Sequence, residues 1–229
     1  SLDDVIETIG PEISFGPAHT FEEEARFELP EERGLVIENG RGAVKVQGWD
    51  ERDVEVIVKK RIYRHSEETA RQIAEDVRLR FDVPPSGPAR LEIGLPSTER
   101  LEAETDLDIR IPRQAPLTLA NGRGPLTVSG LRGPVGLATS YDGIEVRDVE
   151  GRVSVDGRRG PVRIEQVRGE VEARNRYGTL TIRDIEGDLI GETANGSLAG
   201  GSGLSLLPAG EPAEGEARQS SADRRRCVQ

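Results

Sequence analysis

Only one cysteine, no methionine, two histidines and 3% aromatic residues occur in the 229 positions of this chain. Each shortage removes a class of explanation. The lone Cys227 cannot build an intrachain disulfide framework. No apolar run approaches the roughly 20 residues that cross a bilayer as a helix, so no transmembrane helix is expected. Basic residues are outnumbered, 31 Lys and Arg against 42 Asp and Glu. The resulting net charge of −11 argues against nucleic acid and anionic membranes as general partners. No Gly-x-Ser-x-Gly elbow, His-Glu-x-x-His helix or Walker loop is present. With no methionine even at position 1, the expectation is a processed or cloned product from which any signal peptide is already gone.

Glycine is what the sequence has in quantity, 27 residues of it. Through most of the second half, glycines recur nine residues apart, and two such steps make an 18-residue repeat. Leu126, Ile144, Val162, Leu180 and Leu198 keep that spacing. So do Leu131, Val149, Val167 and Ile185, and so do Gly133, Gly151, Gly169 and Gly187. A fixed period of this size marks stacked supersecondary units, here too short for helix pairs. Inside each unit apolar and polar residues alternate, the period of a half-buried strand. Two short strands per unit predict a flattened coil with two sheets, in which equivalent strands stack in parallel. An antiparallel meander of nine-residue strands is the competing geometry.

The charges decide between them. Parallel stacking sets residue i beside residue i+18, where like charges repel. The series Arg132, Glu150, Arg168, Glu186 alternates in sign, as do Arg147, Glu165, Arg183 and Asp156, Arg174, Glu192. The series Tyr141, Arg159, Tyr177 sets a guanidinium between two rings. A meander gives no reason for alternation at 18. The fold predicted is therefore mainly β, a β-solenoid of about 18-residue rungs with a small α+β insertion containing one helix. One rung buries too few aliphatic side chains to stand alone, so stability comes from stacking. Gly191, Gly200 and Gly203 replace core residues, which predicts that the solenoid stops near residue 200.

The segment Asn39-Gly40-Arg41-Gly42-Ala43-Val44 echoes Asn121-Gly122-Arg123-Gly124-Pro125-Leu126, 82 residues later. It reads as a first rung, centred on 34–49 and followed by an insertion. Strands are predicted at 21–29, 54–62, 79–83, 91–95 and 107–111. A helix is predicted from Ser66, with Ala70, Ile73, Ala74 and Val77 on one face. The insertion is expected to form a small sheet of its own, covered by that helix. The division is 1–33 as an N-terminal segment and cap strand, 34–60 as the first rung and 61–112 as the α+β insertion. Residues 113–203 are then the solenoid repeats, and 204–229 a cap with a disordered tail. Leu2, Val5, Ile6 and Ile9 suggest a short amphipathic helix. Leu204, Leu206 and Leu207 are expected to fold back over the last rung, which glycines 200, 201 and 203 permit.

This order of parts carries a resemblance. A strand–Asn-Gly–strand unit, a helix-containing insertion, a Pro-ended strand (Ile109-Arg110-Ile111-Pro112) and tandem Gly-punctuated units resemble the bacterial putative-adhesin family of β-strand-repeat proteins. The resemblance spans roughly residues 20–203. It implies a bacterial envelope or surface setting and supplies no catalytic residues.

Candidates for chemistry are few. His19 and His65 flank predicted strands or the helix start and read as surface or capping residues. Calcium-binding β-rolls need aspartate-rich turns, but the turns here carry Arg158, Arg159, Arg174 and Arg176. Carboxylates alternate with arginines instead of clustering as they do in polysaccharide hydrolases. Cys227 follows Arg224-Arg225-Arg226, which would lower its thiol pKa if ordered. Asn39, Asn121, Asn195 and Asp142 read as turn residues tolerating positive φ. No catalytic, cofactor-binding or metal-binding residue is therefore assigned, and no cofactor is expected. The function read is a non-enzymatic binding or scaffold module of the bacterial cell envelope, extracytoplasmic, with an unknown protein or glycan partner. The alternatives are a structural protein that self-associates through its solenoid ends and a carbohydrate-active enzyme.

Overall fold

In the computed structural model, residues 16–30, 32–94, 103–200 and 205–206 are described, the last pair by backbone alone. The expectations for Leu2, Val5, Ile6 and Ile9, for the side chains of Leu204, Leu206 and Leu207, and for the tail with Cys227 lie outside the described residues.

The repeat region forms the coil its period predicts. Seven strands alternate between two sheets: β8 (Leu117–Arg123), β9 (Leu126–Leu131), β10 (Val135–Tyr141), β11 (Ile144–Glu150), β12 (Val153–Arg159), β13 (Val162–Arg168) and β14 (Val171–Tyr177). The series goes on through β15 (Leu180–Glu186), β16 (Leu189–Asn195) and the short β17 (Leu198–Gly200). Sheet B takes the even-numbered members and sheet A the odd ones. Every neighbouring pair is parallel at an offset of 18, for example Val146 beside Ile164 and Val155 beside Ala173. Glu150 lies opposite Arg168, and the alternating charges make contact as expected. Arg168 reaches Glu150 at 3.1 Å and Glu186 at 3.4 Å, Arg147 reaches Glu165 at 3.6 Å, and Arg174 reaches Glu192 at 3.1 Å. These pairs are exposed, so they set register more than they add stability.

The apolar spacing of each unit contains a kink that strict alternation hides. Val146 and Val149 both face the core although three residues separate them. The chain manages this with a left-handed residue in each of β9, β11, β13 and β15: Gly130 (φ 71°), Asp148 (50°), Gln166 (57°) and Asp184 (54°). The pairing skips that position and resumes at Val149 beside Val167, so successive strands bend together and stay in register.

The N-terminal third departs from the expectation of a separate small sheet. Its elements are β1 (Ala18–Glu28), β2 (Leu35–Arg41), β3 (Val44–Trp49), β4 (Asp53–Tyr63), α1 (Glu67–Asp76), β5 (Arg78–Asp82), β6 (Ala89–Gly94) and β7 (Ala103–Pro112). Strands β2 and β3 stack on β8 and β9, so Leu35 faces Leu117 as the 82-residue echo predicts. The insertion then returns to the other side of this rung. β6 pairs in parallel with β2, and β7 with β3. The inserted segment thus builds a rung outside the first one, because its alternating apolar residues complete the two existing faces. Antiparallel strands finish that end: β4 and then β1 on sheet A, β5 on sheet B. Among the described residues each sheet has nine strands. The chain therefore builds its second rung before its first, and residues 113–116 step over to the third. Arg113 fastens that step, donating to Asp50 Oδ1 at 2.7 Å and to the Gly130 carbonyl at 3.2 Å.

One aliphatic core runs between the sheets from Leu29 to Ile182. A second, smaller cluster lies under α1, where Ala70, Ile73, Ala74 and Val77 pack on Ile62 and Ala103. Ser66 caps the helix, accepting from the Thr69 amide. Buried Lys60 ties its far end, donating to the Ala74 carbonyl at 2.9 Å while pairing with Glu23 at 2.7 Å. At the other end of the stack, β18 (Ser205–Leu206) pairs in parallel with β16. Where the sequence predicts a reversal across the last rung, the backbone of this stretch extends the stack instead.

Candidate functional site

The two sheets present different outer faces. Sheet A is crossed by ion pairs, including Arg110 with Glu55 and Arg163 with Glu165. On sheet B the outward positions nearest the corner are small in the middle rungs: Gly40, Ala120, Gly122, Ala138 and Ser140. They leave an open trough of about 740 Å³. Glu38 and Glu92 stand at one end of it, and Asp156 and Arg158 at the other.

Along one side of the trough runs the corner between the sheets. Arg41, Arg123, Tyr141, Arg159 and Tyr177 take the same position in successive rungs. The Tyr141 ring lies between two guanidiniums, 5.1 Å from Arg123 and 5.3 Å from Arg159. The sequence predicts one guanidinium between two rings; the stack is the reverse of that and begins one rung earlier. Tyr141 and Tyr177 remain 41% and 46% exposed, which is high for side chains of their size. Among the described residues, no carboxylate lies within ion-pair distance of Arg123, Arg158, Arg159 or Arg176.

What holds this corner rigid is a column of buried polar side chains directly inside it. Asn39 is 5% exposed, Asn121 3%, Thr139 4% and Asn175 2%. The expectation of turn residues with positive φ fails for the asparagines; only Asp142 has that conformation, at φ 76°. Asn39 and Asn121 are strand residues pointing inward, because the carbonyls at the corner need donors that the ladder does not supply. Asn121 Nδ2 donates to the carbonyls of Gly42 and Gly124, both at 2.9 Å. Asn175 Nδ2 donates to Gly160 at 3.0 Å, and Asn39 and Thr105 exchange hydrogen bonds at 2.7 and 3.1 Å. Their signal in the sequence is the period itself: an amide or hydroxyl residue recurs at one inward position, with Gly157 as the interruption between Thr139 and Asn175. Asn195, at the end of β16, is exposed and outside this column.

The other candidates have ordinary surroundings. His19 Nε2 donates to the Arg64 carbonyl at 3.0 Å, and His65 is exposed beside the helix cap. A half-buried cluster missed in the sequence joins Glu104 and Asp106 to arginines. Glu104 meets Arg41 at 2.8 Å and Arg61 at 3.2 Å, and Asp106 meets Arg61 at 2.8 Å. Tyr63 donates to Glu104 at 3.1 Å, and burial together with that carboxylate pushes its phenol pKa up. Both carboxylates are committed to guanidinium partners. Among the described residues, no group of three or more His, Cys, Asp or Glu is placed to hold a metal ion. No described helix is long and apolar enough to cross a membrane.

No family model matches the chain, and no curated protein matches it. Solved structures of similar arrangement exist at low identity. A "putative cell adhesion protein" from Clostridium sporogenes is 10% identical with a TM-score of 0.45, over 82% of this chain and 100% of that one. A "putative lipid binding protein" from Parabacteroides distasonis is 14% identical with a TM-score of 0.32, over 84% and 98%. A "putative adhesin" from Bacteroides fragilis is 8% identical with a TM-score of 0.30, over 82% and 97%.

Proposed function

We propose that this chain is a non-enzymatic binding module, an adhesin-like β-solenoid of the bacterial cell envelope, and that it takes an extended ligand along the outer face of sheet B. One observation carries the reading: a floor of small side chains crosses several rungs beside a rigid corner where Arg123, Arg159 and two exposed tyrosines lack acidic partners. A stack of parallel strands changes little in shape on binding, so such a face is preorganised and costs little to order. The envelope setting rests on the resemblance in the order of parts. End-to-end assembly is less well supported, since the free edge strand β1 carries Glu22, Glu23, Glu24, Arg26 and Glu28, and charge on an edge opposes pairing.

The test is to measure binding of the chain to a panel of neutral and acidic polysaccharides, with two variants that place a bulky ring on opposite faces. Ala138→Trp fills the trough without touching the core, and Arg163→Trp alters the outer face of sheet A. At least tenfold weaker binding is expected for Ala138→Trp alone. Loss of binding with Arg163→Trp but not Ala138→Trp would place the ligand elsewhere, and depolymerisation of any bound glycan would mean an enzyme.

A further inference from the structure

Resting on sheet B as the binding face, we infer that the ligand is a linear acidic polysaccharide. Its carboxylates would meet Arg123, Arg158, Arg159 and Arg176, and its sugars would lie against the exposed edge of Tyr141 and on the ring of Tyr177. The first support is a pair of like charges. Facing charges at an offset of 18 are mostly opposite in sign, and Arg147 with Glu165, Arg168 with Glu150 and Arg174 with Glu192 are in contact; Glu170 and Asp188 form an acidic exception. Arg158 and Arg176 occupy the same position in adjacent rungs, both positive, with no carboxylate within ion-pair distance among the described residues. Two like charges one rung apart repel, and more strongly near a protein surface than in water. An anion seated between them removes that repulsion. Of the nearby acids, Asp142 Oδ2 is engaged by the Gly124 amide at 2.8 Å, and Asp156, which lines the trough with Arg158, makes no ion pair with it.

The second support is shape. Guanidinium and carboxylate planes match in bidentate pairs. The Arg123–Tyr141–Arg159 stack offers flat surfaces held by the buried amides beneath. The exposed ring of Tyr177, apolar in body and polar at the tip, suits the C–H face of a sugar with hydroxyls around it. The third is spacing. Arg123 and Arg159 lie two rungs apart, about 10 Å, so they suit anionic groups on alternate sugars. Nucleic acid carries charge far more densely than arginines two rungs apart can match.

The experiment titrates the full chain with hyaluronate, whose carboxylates sit on alternate sugars, with neutral dextran and with a single-stranded oligodeoxynucleotide. The variants are Arg123→Gln with Arg159→Gln, Tyr141→Ala, and Arg163→Gln on sheet A as the control. Thermal melts confirm that each is folded. Hyaluronate is expected to bind, at least tenfold more weakly with the double variant, several-fold more weakly with Tyr141→Ala, and unchanged with Arg163→Gln. Wild-type protein that ignores hyaluronate, a double variant that binds it equally well, or tighter binding of the oligonucleotide overturns the inference. If a neutral glycan binds instead and Ala138→Trp blocks it, the acidic ligand is wrong and the binding face stands. If binding survives Ala138→Trp, the face itself is wrong.

Discussion

Replacing Gly124 with alanine separates two reasons for a corner glycine. Gly124 has φ +115°, a conformation that costs an L-residue about 1–2 kcal/mol. Its added β-carbon would also lie 2.2 Å from the Gly42 carbonyl oxygen in the adjacent rung. No rotamer relieves a contact between backbones, so the rungs must part. Parting them strains the bonds that flank the corner. Gly42 N–H donates to Arg123 at 2.8 Å, Val44 N–H to Pro125 at 2.9 Å, and Asn121 Nδ2 to Gly42 at 2.9 Å. Losing two of these at about 1 kcal/mol each, with the backbone strain, gives roughly 3–4 kcal/mol. Gly87 provides the comparison. It has φ +89°, and a β-carbon added there would meet nothing within 4 Å, so its alanine variant carries the conformational cost alone, about 1 kcal/mol. Urea unfolding of both variants, at unchanged m, reads the difference as a shift in midpoint. If the two lose the same stability to within about 1 kcal/mol, neighbouring rungs do not constrain the corner and the argument fails.

Three further outcomes follow from the packing. Asn121→Ala leaves the Gly42 and Gly124 carbonyls short of a buried donor and should cost about 1–3 kcal/mol in the same assay. Gln166→Gly relieves a left-handed residue at φ 57° and should be neutral or stabilising by up to about 1 kcal/mol, since glycine's own entropy cost offsets part of the gain; a clear loss would refute strain at the kink. Lys60→Met removes the ammonium that joins Glu23 to the end of α1, and hydrogen exchange should show the helix amides opening well before those of β13; equal protection would mean that apolar packing alone holds the helix.

The parallel stack was legible because parallel pairing at a fixed offset leaves two marks: apolar residues such as Ile144 and Val162 in register, and opposite charges such as Glu150 and Arg168 face to face. The position of the insertion was not. Alternating apolar residues in 89–94 and 103–112 announce strands, but nothing in a strand's own pattern says which edge it will join. Only the first rung, with both edges unpaired, decides that. The candidate site was half legible. The Tyr141 and Arg159 series stood out at an offset of 18, yet the inward asparagines looked like turn residues because Asn-Gly usually is one. The trough could not be seen, since small side chains signal nothing until a sheet has placed Ala120 beside Ala138.

The order in which the chain lays down its rungs limits how such a protein can grow. From β8 onward each 18-residue unit touches only the units before and after it, so duplicating or deleting one lengthens or shortens the stack by one step and preserves the strand ladders and the aliphatic core, while changing by two restores the alternation of charge as well. Before β8 that freedom is gone. Residues 34–49 are clamped between a rung made later and another made later still, and the step at 113–116 is cut to pass over one coil. Removing that coil would leave a span of the wrong length, and doubling it would leave one too short. Variation in length therefore belongs to the C-terminal side, and the N-terminal third is inherited whole.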